Sequence, residues 1–170
     1  VTKGAVIVFI LAMLGVILFW CKKQAEARSF DSVTGLLNSR AAISEIKKVP
    51  APSPNKTNAL ALFDLANFKE VNRLLGSSNA DEAIKQIAST FKNITRGSDI
   101  IGRFAPEQFI LCLPDIEEES GKAFFERMRF ALENTNLGKH NELKINVSSS
   151  MSIYLANQAL DDVDEVLDDM

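Results

Sequence analysis

The chain has 170 residues, with 19 Lys and Arg, 22 Asp and Glu, one His and two Cys, for a formal charge of −3. That length suits one ordinary domain plus a short appendage, and a multidomain enzyme is not expected within it. Lys3, Lys22, Lys23 and Arg28 outnumber Glu26 in the first 30 residues by +3, so residues 31–170 carry −6 and no DNA partner is expected.

Residues 4–21 (GAVIVFILAMLGVILFWC) hold 16 apolar residues, two glycines and no charge. As a helix this run is about 27 Å long, enough for a hydrocarbon core of roughly 30 Å. Lys22, Lys23 and Arg28 follow the run and only Lys3 precedes it, which predicts a single-pass inner-membrane anchor with the C-terminal part in the cytoplasm. A cleaved signal peptide fits less well, since no small-x-small site follows. The expected division is an anchor over 1–21, a juxtamembrane linker over 22–30 and a domain over 31–170.

Beyond the anchor, 23–31 reads as a short helical connector and 31–46 as a turn and a helix. Residues 50–58, with three prolines, read as a loop. The apolar run 59–64 (ALALFD) predicts a buried central strand that ends in Asp64. A helix starts near Asn67, and a second, over 79–94, has Ile84, Ile87, Ala88 and Phe91 on its core face. Residues 100–104 and 108–114 have the spacing of a hairpin. A helix over 119–133, facing the core through Ala123, Phe124, Met128 and Ala131, precedes a strand over 143–155. The expected class is α/β of the α+β type, a mixed sheet with helices packed on it.

The order DSVTGLLNSR, LFDLANFKEVN, GSSNAD, RGSDIIGRFAPEQF, LP and VSSSMSI resembles the GGDEF family of diguanylate cyclases from about Asp31 to Leu167. The resemblance implies a palm-like fold shared with nucleotide cyclases, and an activity that joins two GTP molecules into cyclic di-GMP between two domains. The family motifs are D-x-LTGLxNRR, DxDxFKxxND, GHxxGD, RxxD and RYGGDEF. Family enzymes hold two Mg²⁺ with the first acid of DxD, the next backbone carbonyl and the acids of the turn, since hard cations take anionic oxygens. In this chain those positions are Asp64, Leu65 and Glu107, whereas Gln108 stands where the second acid would be. Ala105 and Pro106 occupy the two glycine positions. Proline fixes φ and has no N–H, so the turn loses both its freedom and an amide for the nucleotide. Ala66, Arg73, Ser77 and Ala80 also depart from the family pattern. The family sequence continues into ADxALYxAK where this chain ends in VDEVLDDM, which predicts a fragment or a missing helix. No catalytic residue is therefore expected at Ala105–Gln108, and Mg²⁺ is expected only if GTP binds.

Asn72 and Asp81 match the positions that bind guanine, a role in which a carboxylate accepts N–H donors from the base; helix capping or exposure to solvent is the alternative. Arg96 and Asp99 form an RxxD placed five residues before the turn, the family spacing of an inhibitory cyclic di-GMP site. Arg offers a bidentate fork and Asp accepts guanine N–H groups. An idle surface pair is the alternative. The leading expectation is a membrane-anchored, catalytically inactive cyclic di-GMP receptor. The others are a nucleotide-free module that pairs with itself or another GGDEF domain, and a weakly active cyclase. His140 reads as a surface residue, Cys112 as a reduced thiol, and the acidic run Asp161–Asp169 as a solvated helix face.

Overall fold

The computed structural model describes residues 3–27, 29–135 and 148–170. Helix α1 (Lys3–Ala27) contains one segment, Gly4–Gln24, long and apolar enough to cross a membrane, with mean hydropathy 2.7. It does not break at Cys21. Lys22, Lys23, Gln24, Ala25 and Glu26 are all good helix formers, so the turn-by-turn hydrogen bonding runs on into the expected linker.

The domain begins with a turn in which Asp31 accepts from the Thr34 amide and hydroxyl, both at 2.8 Å. A two-residue strand follows, β1 (Leu37–Asn38), which the sequence reading did not anticipate. Asn38 also caps helix α2 (Ser39–Ile46), its Oδ1 accepting from the Ala41 amide at 2.9 Å. The remaining elements are β2 (Thr57–Leu65), α3 (Phe68–Leu75), α4 (Ser77–Ile94), β3 (Ile100–Ala105), β4 (Gln108–Ile116), α5 (Glu118–Glu133), β5 (Ser149–Ala156) and α6 (Val163–Asp169). The anticipated 143–155 strand is described only from Ser149, and residues 143–147 and His140 lie outside the described residues.

Five strands form one mixed sheet in the order β1-β3-β4-β2-β5, with β1 parallel to β3 and the other pairs antiparallel. Successive side chains on a strand point to opposite faces, and here both faces are covered. Ala59, Ala61, Phe63 and Leu65 of β2 join Phe109, Leu111 and Leu113 of β4 beneath α4 and α5. Leu60, Ile110 and Cys112 face α2 and Val163 of α6. Cover on both sides explains why β2 is a continuous apolar run rather than an alternating one. Phe91 of α4 sits between two strands, with ring centroids 5.4 Å from Phe63 and 5.1 Å from Phe109, inside the range of favourable tilted aromatic contact.

The buried face of α5 consists of Gly121, Phe124, Phe125, Met128 and Leu132, whereas Ala123 is exposed and Ala131 half-buried, contrary to the sequence expectation. The larger apolar side chains Phe125 and Leu132 take the core positions that the alanines were expected to hold. At Gly102 an added Cβ would lie 2.5 Å from the Ala42 Cβ and 3.1 Å from the Leu37 carbonyl oxygen. Glycine there lets α2 and β1 close onto β3.

Candidate functional site

Strand β3 carries the two turns that the sequence singles out, one at each end. At its C-terminal end, Ala105 pairs with Gln108 around a two-residue turn of Pro106 and Glu107. Register sets Asp64 of β2 directly opposite Gln108 of β4. The carboxamide Nε2 of Gln108 donates to Asp64 Oδ2 at 2.8 Å, and the Leu65 amide donates to the Glu107 carbonyl at 2.9 Å. One oxygen of the only carboxylate in the DxD segment is therefore already engaged by a neutral donor. Among the described residues, no three His, Cys, Asp or Glu side chains gather in a group able to hold a metal ion. With Gln108 at this place the turn offers Asp64 and Glu107, one carboxylate fewer than the set the family resemblance implies for a pair of Mg²⁺ ions.

The same turn is fixed from behind. Arg103 donates from Nη2 to the Pro106 carbonyl at 2.9 Å and from Nη1 to Asp31 Oδ2 at 3.1 Å, joining the first residues of the domain to the hairpin. Burial pushes the Asp31 carboxyl up, but the Thr34 amide and hydroxyl and the Arg103 guanidinium outweigh it, so Asp31 titrates below its ordinary range. Arg103 Nε is buried with no hydrogen-bond partner.

Asn72 and Asp81 lie on neighbouring helices, α3 and α4, and both are exposed. Asn72 offers its carbonyl to the Gly76 amide at 2.9 Å. Arg73 is drawn into an ion pair with Glu70 one turn back, its Nε at 3.0 Å from Glu70 Oε2. Asn67 does not cap α3 with its side chain, which instead accepts from the Ser148 amide at 3.0 Å.

At the N-terminal end of β3, Asp99 Oδ2 accepts from the Arg96 amide at 2.7 Å and the Asp99 amide donates to the Arg96 carbonyl at 3.1 Å. These two bonds close the RGSD segment into a tight turn and leave the second Asp99 oxygen without a protein donor among the described residues. The guanidinium of Arg96 is exposed and has no ion-pair partner among the described residues. The turn lines a cleft of about 320 Å³ with Pro114, Ser120, Phe124 and Arg127. Arg127 lies over the Phe124 ring, 5.7 Å from its centroid. Asp115, on the same wall, is already held by the Ser53 amide at 2.7 Å and by Lys56. Two arginines thus stand open on a cleft where Asp115 is engaged elsewhere and Asp99 keeps one oxygen free. Arg127 escaped the sequence reading because, within an amphipathic helix, it looks like any solvated cation, and only the packing of α5 brings it to the RGSD turn.

The model of the diguanylate cyclase GGDEF domain matches residues 28–170. The chain is 32% identical over 140 residues to the diguanylate cyclase DgcP of Pseudomonas aeruginosa, an alignment covering 80% of this chain and 21% of that protein. It is 27% identical over 151 residues to the diguanylate cyclase DgcM of Escherichia coli K12, covering 87% of this chain and 36% of that protein. It thus spans about a fifth and about a third of these relatives. Its fold is similar to the coiled coil and GGDEF domain of DgcB from Caulobacter crescentus, a structure in complex with c-di-GMP. There the TM-score is 0.75 at 19% identity, with 98% of this chain and 90% of that one covered. The chain belongs to the GGDEF-domain family.

Proposed function

We propose that this chain is a membrane-anchored, degenerate GGDEF domain that binds cyclic di-GMP at the cleft of Arg96, Asp99 and Arg127 and does not make it. The observation that carries the reading is the open cleft: two arginines without ion-pair partners beside an Asp99 with one uncommitted oxygen. Guanidinium groups suit phosphate and guanine edges, and a carboxylate accepts guanine N–H donors. The c-di-GMP complex of the related DgcB fold supports the ligand class.

Inactivity is supported at the other end of β3. Gln108 supplies a hydrogen bond to Asp64 where a cyclase needs a second anionic ligand, and Pro106 replaces a glycine in the turn. Asn72 and Asp81 remain as exposed candidates for guanine, without the metal site that GTP chemistry requires. The Gly4–Gln24 segment supports an anchor over residues 1–21, with 22–30 as linker, and the excess of Lys22, Lys23 and Arg28 over Lys3 supports placing 31–170 in the cytoplasm. Pairing with a second GGDEF domain is a further reading, favoured by Phe130, which is 68% exposed on α5 three residues beyond Arg127.

The test is calorimetric titration of the full chain in lipid nanodiscs with cyclic di-GMP, beside Arg96→Ala. Saturable heat that disappears in the variant is expected; no heat in the wild type would leave the pairing module as the surviving account.

A further inference from the structure

A second cavity adjoins the RGSD turn, sharing Ser98, Asp99 and Pro114 with the arginine cleft but opening between α2, the β1 segment and the end of α4. Its volume is about 630 Å³, within the range of small-molecule sites. The walls are mainly apolar: Phe30, Leu37, Val49, Pro50, Ile100 and Pro114. Phe30 keeps 52% of its surface exposed and so presents ring surface for stacking.

The charged groups on the wall are few and not equivalent. Glu45 and Lys48 neutralise each other at 2.6 Å. Lys92 reaches only a neutral acceptor, the Gly35 carbonyl at 3.3 Å, and has no carboxylate within ion-pair distance among the described residues. Asp99 has one oxygen engaged by the Arg96 amide and one uncommitted. An apolar cavity with one unpaired ammonium and one spare carboxylate oxygen defines its ligand by complementarity. The body should be flat and apolar, with an anionic group for Lys92 and an N–H donor for Asp99.

We propose that this cavity is a binding site for a small aromatic anion bearing a ring N–H, held by Lys92 and stacked on Phe30, beside the arginine cleft and sharing Asp99 with it. The proposal needs no nucleotide at Arg96; Asp99 is common to both sites and its spare oxygen serves one ligand at a time, whereas Lys92 and Phe30 line this cavity alone.

The test uses the full chain in lipid nanodiscs and 5-fluoroindole-3-acetate, followed by fluorine NMR line broadening, with empty nanodiscs subtracted. Saturable binding with a dissociation constant on the order of 1 mM is expected for so small a ligand. Lys92→Glu should weaken it tenfold or more, and Lys92→Gln at least threefold. The charge reversal Lys85→Glu, on the same helix but away from the cavity, should change it less than twofold. The neutral 5-fluoroindole-3-acetamide should bind at least fivefold more weakly than the acid. Each Lys92 variant is exposed on the surface of α4, and an unchanged melting temperature verifies folding. Absence of saturable broadening, equal affinity in Lys92→Glu, or equal affinity for the neutral amide would overturn the proposal.

Discussion

The two ends of strand β3 carry turns with opposite chemistry. At Ala105–Gln108 side chains brace the turn: Gln108 donates to Asp64, and Arg103 holds both the Pro106 carbonyl and Asp31, while the Glu107 carboxylate has no protein partner among the described residues. At Arg96–Asp99 one backbone bond and one Asp99 carboxylate oxygen close the turn, and the Arg96 guanidinium is left to solvent beside Arg127. The Ala105–Gln108 turn offers a ligand only carboxylate oxygens, with no uncommitted cation facing an anionic phosphate. A turn with uncommitted cations and a spare carboxylate oxygen offers more, because a ligand there replaces only water. This difference is the ground for the proposal that a ligand binds at the RGSD turn rather than at the turn for which the family is named.

The comparison can be broken at its centre first. Gly102→Ala drives a Cβ to 2.5 Å from Ala42, and overpacking of that kind costs about 1–3 kcal/mol; β3, α2 and both turns should loosen together, seen as a lower denaturant midpoint. Arg96→Ala acts at one end only. Hydrogen bonds to charged groups contribute about 1.5–3 kcal/mol, so cyclic di-GMP affinity should fall roughly 10- to 150-fold by calorimetry with folding stability almost unchanged. Arg127→Ala should lower the same affinity by a smaller factor.

Gln108→Glu sharpens the contrast at the other end. It removes the donor to Asp64 and sets two carboxylates opposite each other, at a cost of about 1–3 kcal/mol in metal-free buffer. Millimolar Mg²⁺ should restore part of that loss in the variant and leave the wild-type melting temperature unmoved. A smaller effect belongs to Asp31. Its carboxyl is depressed in the folded state, so its contribution is complete above its ordinary value near 3.8 and disappears as pH falls through the lower folded value. The wild type should therefore lose more stability than Asp31→Asn between pH 5 and pH 2, measured by thermal melts. Least visible is Cys112, whose thiol is pushed up to about 12 by burial and then by the nearby Asp99 charge. It should resist alkylation at pH 8 until the domain unfolds.

Much of this molecule was legible in its sequence wherever periodicity was strong. The ALALFD run, the Ile84–Phe91 stripe and the spacing of the hairpin specified β2, α4 and the β3–β4 pair, since each carries enough apolar side chains for its period to stand out. The β1 strand was invisible because two residues have no period, and Asn38 spends its side chain on capping α2. On α5 the expected Phe124 and Met128 do face the core, but Ala123 and Ala131 do not, since alanines near the stripe mimic core positions that Phe125 and Leu132 fill. At the site, the sequence revealed which ligands were replaced but not what the replacements do. That Gln108 bonds Asp64 follows from strand register, and that Arg127 joins Arg96 follows from where α5 crosses the sheet. Both are facts of tertiary structure that no local pattern encodes.

The most direct test of the contrast between the two turns is a single thermal-melt comparison on the full chain in nanodiscs, with cyclic di-GMP in one sample and GTP plus Mg²⁺ in the other. A ligand at 100 times its dissociation constant adds about 2.7 kcal/mol, which for a domain of this size is a rise of roughly 5–10 °C. The account predicts that rise with cyclic di-GMP and none with GTP and Mg²⁺. A rise with GTP and Mg²⁺ alone would contradict it, returning the working site to the Asp64 turn.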